Sequence, residues 1–156
     1  MKTKTIITSS KFHAGKEEVF CRLQKLETLQ YIAAPFARFI PLGNNQITEW
    51  KEGATLSFQL HIFGKISFGA HIIRVLSFNK DSGINTREYN KYVPIWNHRI
   101  YLESIDENTT RYTDEVEVGA GWKTPFVALW AKMFYAHRQR KWKKLLQIET
   151  NKQGSA

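Results

Sequence analysis

From Thr55 to Val118 apolar residues recur at every second position, and after Pro125 they recur at helical spacing for roughly two dozen residues. No other feature limits this chain as strongly. A run of half-buried strands has one apolar face to hide, and one long amphipathic helix is the only element long enough to cover it. Leu56, Phe58, Leu60 and Ile62 alternate with Ser57, Gln59 and His61, and Gly64-Lys65 then suits a two-residue type II′ hairpin with Gly at the position of positive φ. Ile66–Phe78 is the partner strand; its apolar residues change parity between Ile72 and Ile73, which predicts a bulge or sharp bend there. Lys80-Asp81-Ser82-Gly83 turns the chain into a strand over Ile84–Asn90. Ile95–Ile105 carries Trp96, His98, Ile100 and Leu102 on one face. Asp106-Glu107-Asn108 turns, and Thr109–Val118 returns with Tyr112, Asp114, Val116 and Val118 on one face. Gly119-Ala120-Gly121 ends the sheet.

The segments before Thr55 complete the order. Thr3–Phe12 is rich in β-branched residues and reads as an opening strand. Ala14–Glu18 opens a helix with acids in its first turn, and Val19, Phe20, Leu23 and Leu26 form its apolar stripe, with Cys21 as a small core residue. Glu27–Ala34 is a second short helix that Pro35 ends, and Phe36–Leu42 and Ile47–Trp50 are short and extended. Val127, Trp130, Ala131, Phe134, Trp142, Leu145 and Leu146 outline the inner stripe of the long helix, and 151–156 is a polar, disordered tail. Residues 1–150 therefore read as one α+β domain: a curved antiparallel sheet gripping a long C-terminal helix, with two short helices after the first strand. A sheet bent around one helix leaves space between them, and a ligand cavity is expected there.

Composition narrows the classes of function. Five Trp, six Tyr and ten Phe fill a core or wall a pocket equally well. A single cysteine, Cys21, excludes an intrachain disulfide and a cysteine-based zinc site. The N-terminus lacks an apolar h-region and no run approaches the ~18 apolar residues of a membrane span, so a soluble cytoplasmic protein is expected. There is no nucleophile motif, phosphate loop or dinucleotide fingerprint; Gly64 and Gly69 read as turn glycines. The net charge is +9, and Arg138, Arg140, Lys141, Lys143 and Lys144 concentrate part of it on the long helix. That cluster reads as a solvated helix face or as a footprint for RNA or another anionic partner.

The element order, with the residues in it, resembles the START-like superfamily, also called SRPBCC or the birch-pollen-allergen-like helix-grip fold. The resemblance runs from Lys2 to about Gln147. Pro94-Ile95-Trp96-Asn97-His98 looks like the family's aromatic-x-His strand, Thr110–Val116 like its Thr-x-x-x-Asp-x-Val return strand, and Phe63-Gly64 with Phe68-Gly69-Ala70-His71 like its central hairpin. Some relatives carry a second His two residues after the first; Ile100 stands there in this chain. The resemblance implies a seven-stranded sheet and a hydrophobic cavity for lipids, sterols, polyketides or similar molecules. It leaves the reaction open, since the superfamily includes polyketide cyclases, lipid carriers, hormone receptors and oxygenase domains.

His98 and Asp114 are the polar residues that fall on the apolar parity of their strands. A three-residue turn at Asp106–Asn108 sets them directly opposite, within reach of a cross-strand hydrogen bond. An Asp accepting from one ring nitrogen fixes the tautomer and raises the basicity of the other, as a general base requires; a buried structural pair makes the same bond. His71 faces inward with Phe58 and Leu60 if Gly64-Lys65 is the turn. The types His71, His98 and Asp114 suit zinc or non-haem iron, but no H-x-x-x-H pair supports a metal site, and no cofactor is implied. Trp96, Tyr112, Trp130 and Phe134 are the expected cavity walls, each of which also serves as plain core. His137 and Arg138 are placed to reach an anionic ligand group or to be solvated. Three functions are carried forward: a binder of a small hydrophobic ligand, a cyclase or dehydratase using His98 and Asp114, and an RNA or anionic-partner binder.

Overall fold

Among the described residues the alternating segments form seven strands, and the helical spacings form three α-helices, in the expected order. They are β1 (Lys4–Phe12), α1 (Lys16–Leu23), α2 (Leu26–Ala33), β2 (Ala37–Pro41), β3 (Thr55–Ile62), β4 (Ile66–Asn79), β5 (Gly83–Tyr89), β6 (Ile95–Asp106), β7 (Thr109–Gly119) and α3 (Thr124–Gly154). The computed structural model of the chain describes residues 1–43 and 50–154, and side chains as far as Ile148. The extended segment expected at Ile47–Trp50 lies outside the described residues except for Trp50, and the expected tail falls on the end of α3 and on residues 155 and 156, which are likewise outside them. The strands make one antiparallel sheet in the order β1-β7-β6-β5-β4-β3-β2, so neighbours in sequence are neighbours in space except where β1 closes onto β7. α3 crosses the concave face of this sheet. Its start is fixed by Thr124, whose hydroxyl accepts from the Ala120 N–H at 2.9 Å and donates to the Gly121 carbonyl at 2.7 Å.

Three local readings are corrected. The β3–β4 hairpin turns at Phe63-Gly64, not Gly64-Lys65: the Lys65 N–H donates to the Ile62 carbonyl at 3.3 Å, and Phe63 and Gly64 have φ of 53° and 73°. Two successive left-handed residues make a type I′ turn in place of type II′. Phe63 adopts that conformation where its N–H donates to the Phe36 carbonyl and its ring packs on Phe36 at 5.3 Å. The bulge is not at Ile72–Ile73. β4 is irregular twice, opposite β3 near Gly69 (φ 72°) and opposite β5 at Leu76. Between these points His71, Ile73 and Val75 alternate inward without a break, and the two extra residues keep Phe68 and Phe78 on the same wall. Finally, Cys21 is exposed, because it lies two positions from both Val19 and Leu23, on the opposite side of α1.

The core is divided in two. One cluster joins Phe12, Tyr112, Trp142, Ile100, Leu102 and Leu146 with α1. The other joins the β2–β4 residues Phe39, Phe58, Leu60 and Ile73 with Trp96, Phe134 and Tyr135. Polar residues mark the boundary on three elements. On β6 His98 stands between Trp96 and Ile100, on β7 Asp114 stands between Val116 and Tyr112, and on α3 Arg138 and Gln139 stand between Tyr135 and Trp142.

Candidate functional site

Between α3 and the strands β3–β6 lies a cavity of about 670 Å³. β1 and β7 pack closely on α3 whereas β2–β4 do not, and the cavity occupies the space this leaves. Leu60, Ile73, Val75, Trp96, Trp130 and Phe134 form much of its wall, and His71, Thr86, Glu88, Asn90, His98 and Arg138 supply its polar atoms. The exposed side chains of Phe63, Ile66, Trp122 and Phe126 line it too, and they mark its mouth.

The polar residues form a connected belt. His98 Nε2 meets Asp114 Oδ1 at 2.6 Å, and Gln139 Nε2 donates to Asp114 Oδ2 at 3.0 Å. Gln139 also donates to the Thr8 carbonyl and accepts from the Ser10 hydroxyl, so α3 is tied to β1 at the same level. On the other side, His98 Nδ1 lies 3.9 Å from Glu88 Oε2. Glu88 accepts from the Thr86 hydroxyl at 2.8 Å and bonds His71 Nε2 at 2.9 Å, while Asn90 Nδ2 lies 3.1 Å from His71 Nδ1. All but Thr8, Ser10 and Asn90 are buried, and buried polar groups of this kind persist only when bonded. Burial pushes the Glu88 carboxyl up, but His71, His98 and Thr86 together outweigh it and hold it below the ordinary carboxylate value. Burial also drives the Tyr135 phenol far above its usual range, so it stays neutral; it accepts from Trp96 Nε1 at 3.0 Å and packs against the His98 ring.

The register of β6 and β7 differs from the expected one. His98 pairs with Val116 and Asp114 with Ile100, because the turn is tight at Asp106–Thr109 and the ladder slips at Ile105. His98 and Asp114 are therefore diagonal neighbours, and their side chains span the diagonal. Asp114 does not line the cavity; it stands behind His98. Tyr112 is not a cavity wall either, since its ring is stacked on Phe12 and packed on Trp142 in the closed cluster. Phe58 is buried beneath Phe39 and Trp50 and is core, not lining. Leu60, His71, Trp96, His98, Trp130 and Phe134 all reach the cavity.

Two further corrections concern α3. His137 is neither solvated nor aimed at the cavity: its Nε2 meets the Ala34 carbonyl at 2.7 Å and its ring stacks on Phe36. Arg138 is buried, at 6% exposure, and lines the cavity under the faces of Phe134 and Tyr135, with its guanidinium carbon 5.6 and 5.0 Å from the ring centroids. Burial opposes its charge, but Tyr135, Asp114, Tyr112 and Glu88 outweigh that and leave the guanidinium firmly protonated. The surface cluster thus loses Arg138, and Lys141 lies over the Tyr31 ring at 4.1 Å. Glu88 was not among the expected site residues. Its sequence signal is faint: it shares parity with Ile84 and Thr86, with only one apolar residue to identify the inner face. No group of three or more His, Cys, Asp or Glu among the described residues is placed to hold a metal ion, and no described helix is long and apolar enough to cross a membrane.

No protein-family model and no curated protein sequence matches the chain. Solved structures do. A START superfamily protein from Mycobacterium smegmatis superposes with a TM-score of 0.72 at 14% identity, over 92% of this chain and 97% of that one. Norcoclaurine synthase from Thalictrum flavum, solved with dopamine and hydroxybenzaldehyde, gives 0.67 at 11% identity over 94% and 87%. The Zhui aromatase/cyclase from a Streptomyces species gives 0.61 at 14% identity over 96% and 94%. The fold of this chain is the START-like helix-grip fold.

Proposed function

We propose that this protein binds a small, largely hydrophobic molecule in the cavity between α3 and the sheet. The observation that carries the reading is the cavity itself: about 670 Å³ walled mainly by aromatic and aliphatic side chains, with few polar side chains among them. That volume is in the range of pockets for drug-sized ligands, and an apolar wall with few oriented polar groups is how such pockets combine affinity with selectivity. The fold relatives support the same class, since one of them was solved with two small aromatic molecules bound. Titration with the neutral fluorophore pyrenebutanol tests it. Saturable binding of one equivalent is expected, and Val75→Phe, which adds a ring to the cavity wall, is expected to abolish it. Failure of the wild-type protein to bind would sink the reading.

One observation favours a second reading, acid–base chemistry at His98. This residue is on the cavity wall, its Nε2 is held by an Asp114 that is itself fixed by Gln139, and its Nδ1 is in no bond shorter than the 3.9 Å approach to Glu88. A histidine oriented through one nitrogen by a buried carboxylate is arranged to exchange a proton through the other. The matching reaction class is proton abstraction next to a carbonyl, as in cyclisation or dehydration of a polyketide-like substrate. Exchange of the α-hydrogens of an aryl methyl ketone with deuterated water, followed by NMR, should be accelerated by the wild-type protein and not by His98→Gln. Equal rates with both proteins would leave the belt a purely structural network.

A further inference from the structure

We infer that Arg138 is a carboxylate anchor at the inner end of the cavity, so that the ligand is an amphipathic monocarboxylic acid with an aromatic or alicyclic body. The inference rests on the hydrophobic-ligand reading above and specifies its ligand. A guanidinium with 6% exposure would ordinarily be held by a carboxylate, because removing an unpaired charge from water costs several kcal/mol. Among the described residues Arg138 has no ion pair, and its Nε atom is buried without a hydrogen-bond partner. Phe134 and Tyr135 cover it with ring faces, which favour the cation but leave its donors unused. The side chain borders the cavity, so the missing acceptor has room to arrive with the ligand.

The chemistry of that acceptor follows from the surroundings. A single planar fork of donors matches the two oxygens of a carboxylate. Glu88 lines the cavity from β5, facing α3, and Asp114 stands behind His98, so negative charge beyond one unit is repelled; this selects a monoanion over a phosphate monoester. The remaining wall is apolar, and Trp130 and Phe134 are stacked at 4.7 Å beside Arg138, where they flank a flat hydrophobic body. A lysine at the mouth, Lys123, is the only other cation on the described lining. It lies near the exposed rings of Tyr92 and Trp122 and provides the control for a rim effect.

Pyrenebutanoic acid and pyrenebutanol differ only in the terminal group and are suitable probes. The wild-type protein is expected to bind the acid about tenfold or more tightly than the alcohol, as charge-assisted hydrogen bonds in a dry site allow. Arg138→Gln should erase that preference while keeping affinity for the alcohol, Arg138→Lys should keep part of it, and Lys123→Gln should leave it unchanged. Equal wild-type affinities for acid and alcohol would overturn the anchor and leave the cavity reading intact, whether or not the variants fold. A preference lost in Lys123→Gln and retained in Arg138→Gln would also overturn it, by moving the anion to the rim. Binding of neither probe would remove both readings together.

Discussion

The two halves of the groove under α3 use the same helix and the same sheet, yet one is solid and the other hollow. In the closed half Trp142, Tyr112 and Phe12 stack within 5.6 Å of one another, and all three are completely buried. In the open half the rings of Trp130, Phe134 and Trp96 each have neighbours on one side and the cavity on the other. The difference comes from the strands opposite. β1 and β7 run close beneath the C-terminal part of α3, whereas β3 and β4, bent by two bulges, curl away from its N-terminal part. The belt from His71 to Gln139 lies between the halves. Its hydrogen bonds need fixed distances, so it keeps the wall of the hollow half from collapsing inward. The densest aromatic packing of this protein thus lies away from its cavity.

The largest effect should come from the solid half. Trp142→Ala removes a fully packed ring and is expected to destabilise by about 3–5 kcal/mol, lowering Tm by roughly 10 °C in calorimetry. Asp114→Asn attacks the boundary. It removes the charge that meets His98 and Gln139 and should cost about 1–3 kcal/mol in urea unfolding. A negligible change would show that the belt does not brace the fold. In the hollow half, Phe134→Ala should cost only about 1–2 kcal/mol, because its ring already lacks neighbours on the cavity side. Its affinity for pyrenebutanol should nevertheless fall more than that of Trp142→Ala. Similar stability losses for the two ring deletions would break the comparison.

The smallest effect is one that fades as the pH turns acid. Glu88 titrates lower in the folded state than its ordinary value of 4.5, so its contribution to stability is full above that value and disappears as pH falls through the folded one. Glu88→Gln should therefore destabilise at neutral pH, where the charged bonds to His71 and Thr86 are lost, by an amount that shrinks as pH falls, so that the acid limb of the stability–pH curve is flatter. An unchanged acid limb would mean that the His71 pairing does not hold the carboxylate.

Much of the architecture was legible because periodicity is local. Alternation over Leu56–Ile62, Trp96–Leu102 and Tyr112–Val118 states which residues face inward whatever lies above them, and it placed His98 and Asp114 on the inner face. Their pairing was read in the wrong register, since a one-residue difference in a turn moves every partner along the ladder. The hairpin at Phe63-Gly64 failed similarly: Gly64 was the evident left-handed residue, and nothing local indicated that Phe63 joins it to pack on Phe36. Arg138 was grouped with its charged neighbours, although its spacing from Phe134, Tyr135 and Trp142 sets it on the buried stripe. Of the two places the sequence leaves open for Arg138, solvent or an anionic group, helical phase favours the inner one.

By itself the sequence determined the order of elements, the inner faces of the long strands and the grip of one sheet on one helix, because each follows from spacing along the chain. Only the tertiary structure decided that Tyr112 is core while Trp130 is wall, that Glu88 joins His71 to His98, and that Arg138 lines a cavity with no ion-pair partner among the described residues. Those outcomes depend on how far apart separate strands and the helix come to rest. Sheet curvature sets that distance, and it is a property of the assembled sheet and not of any one strand.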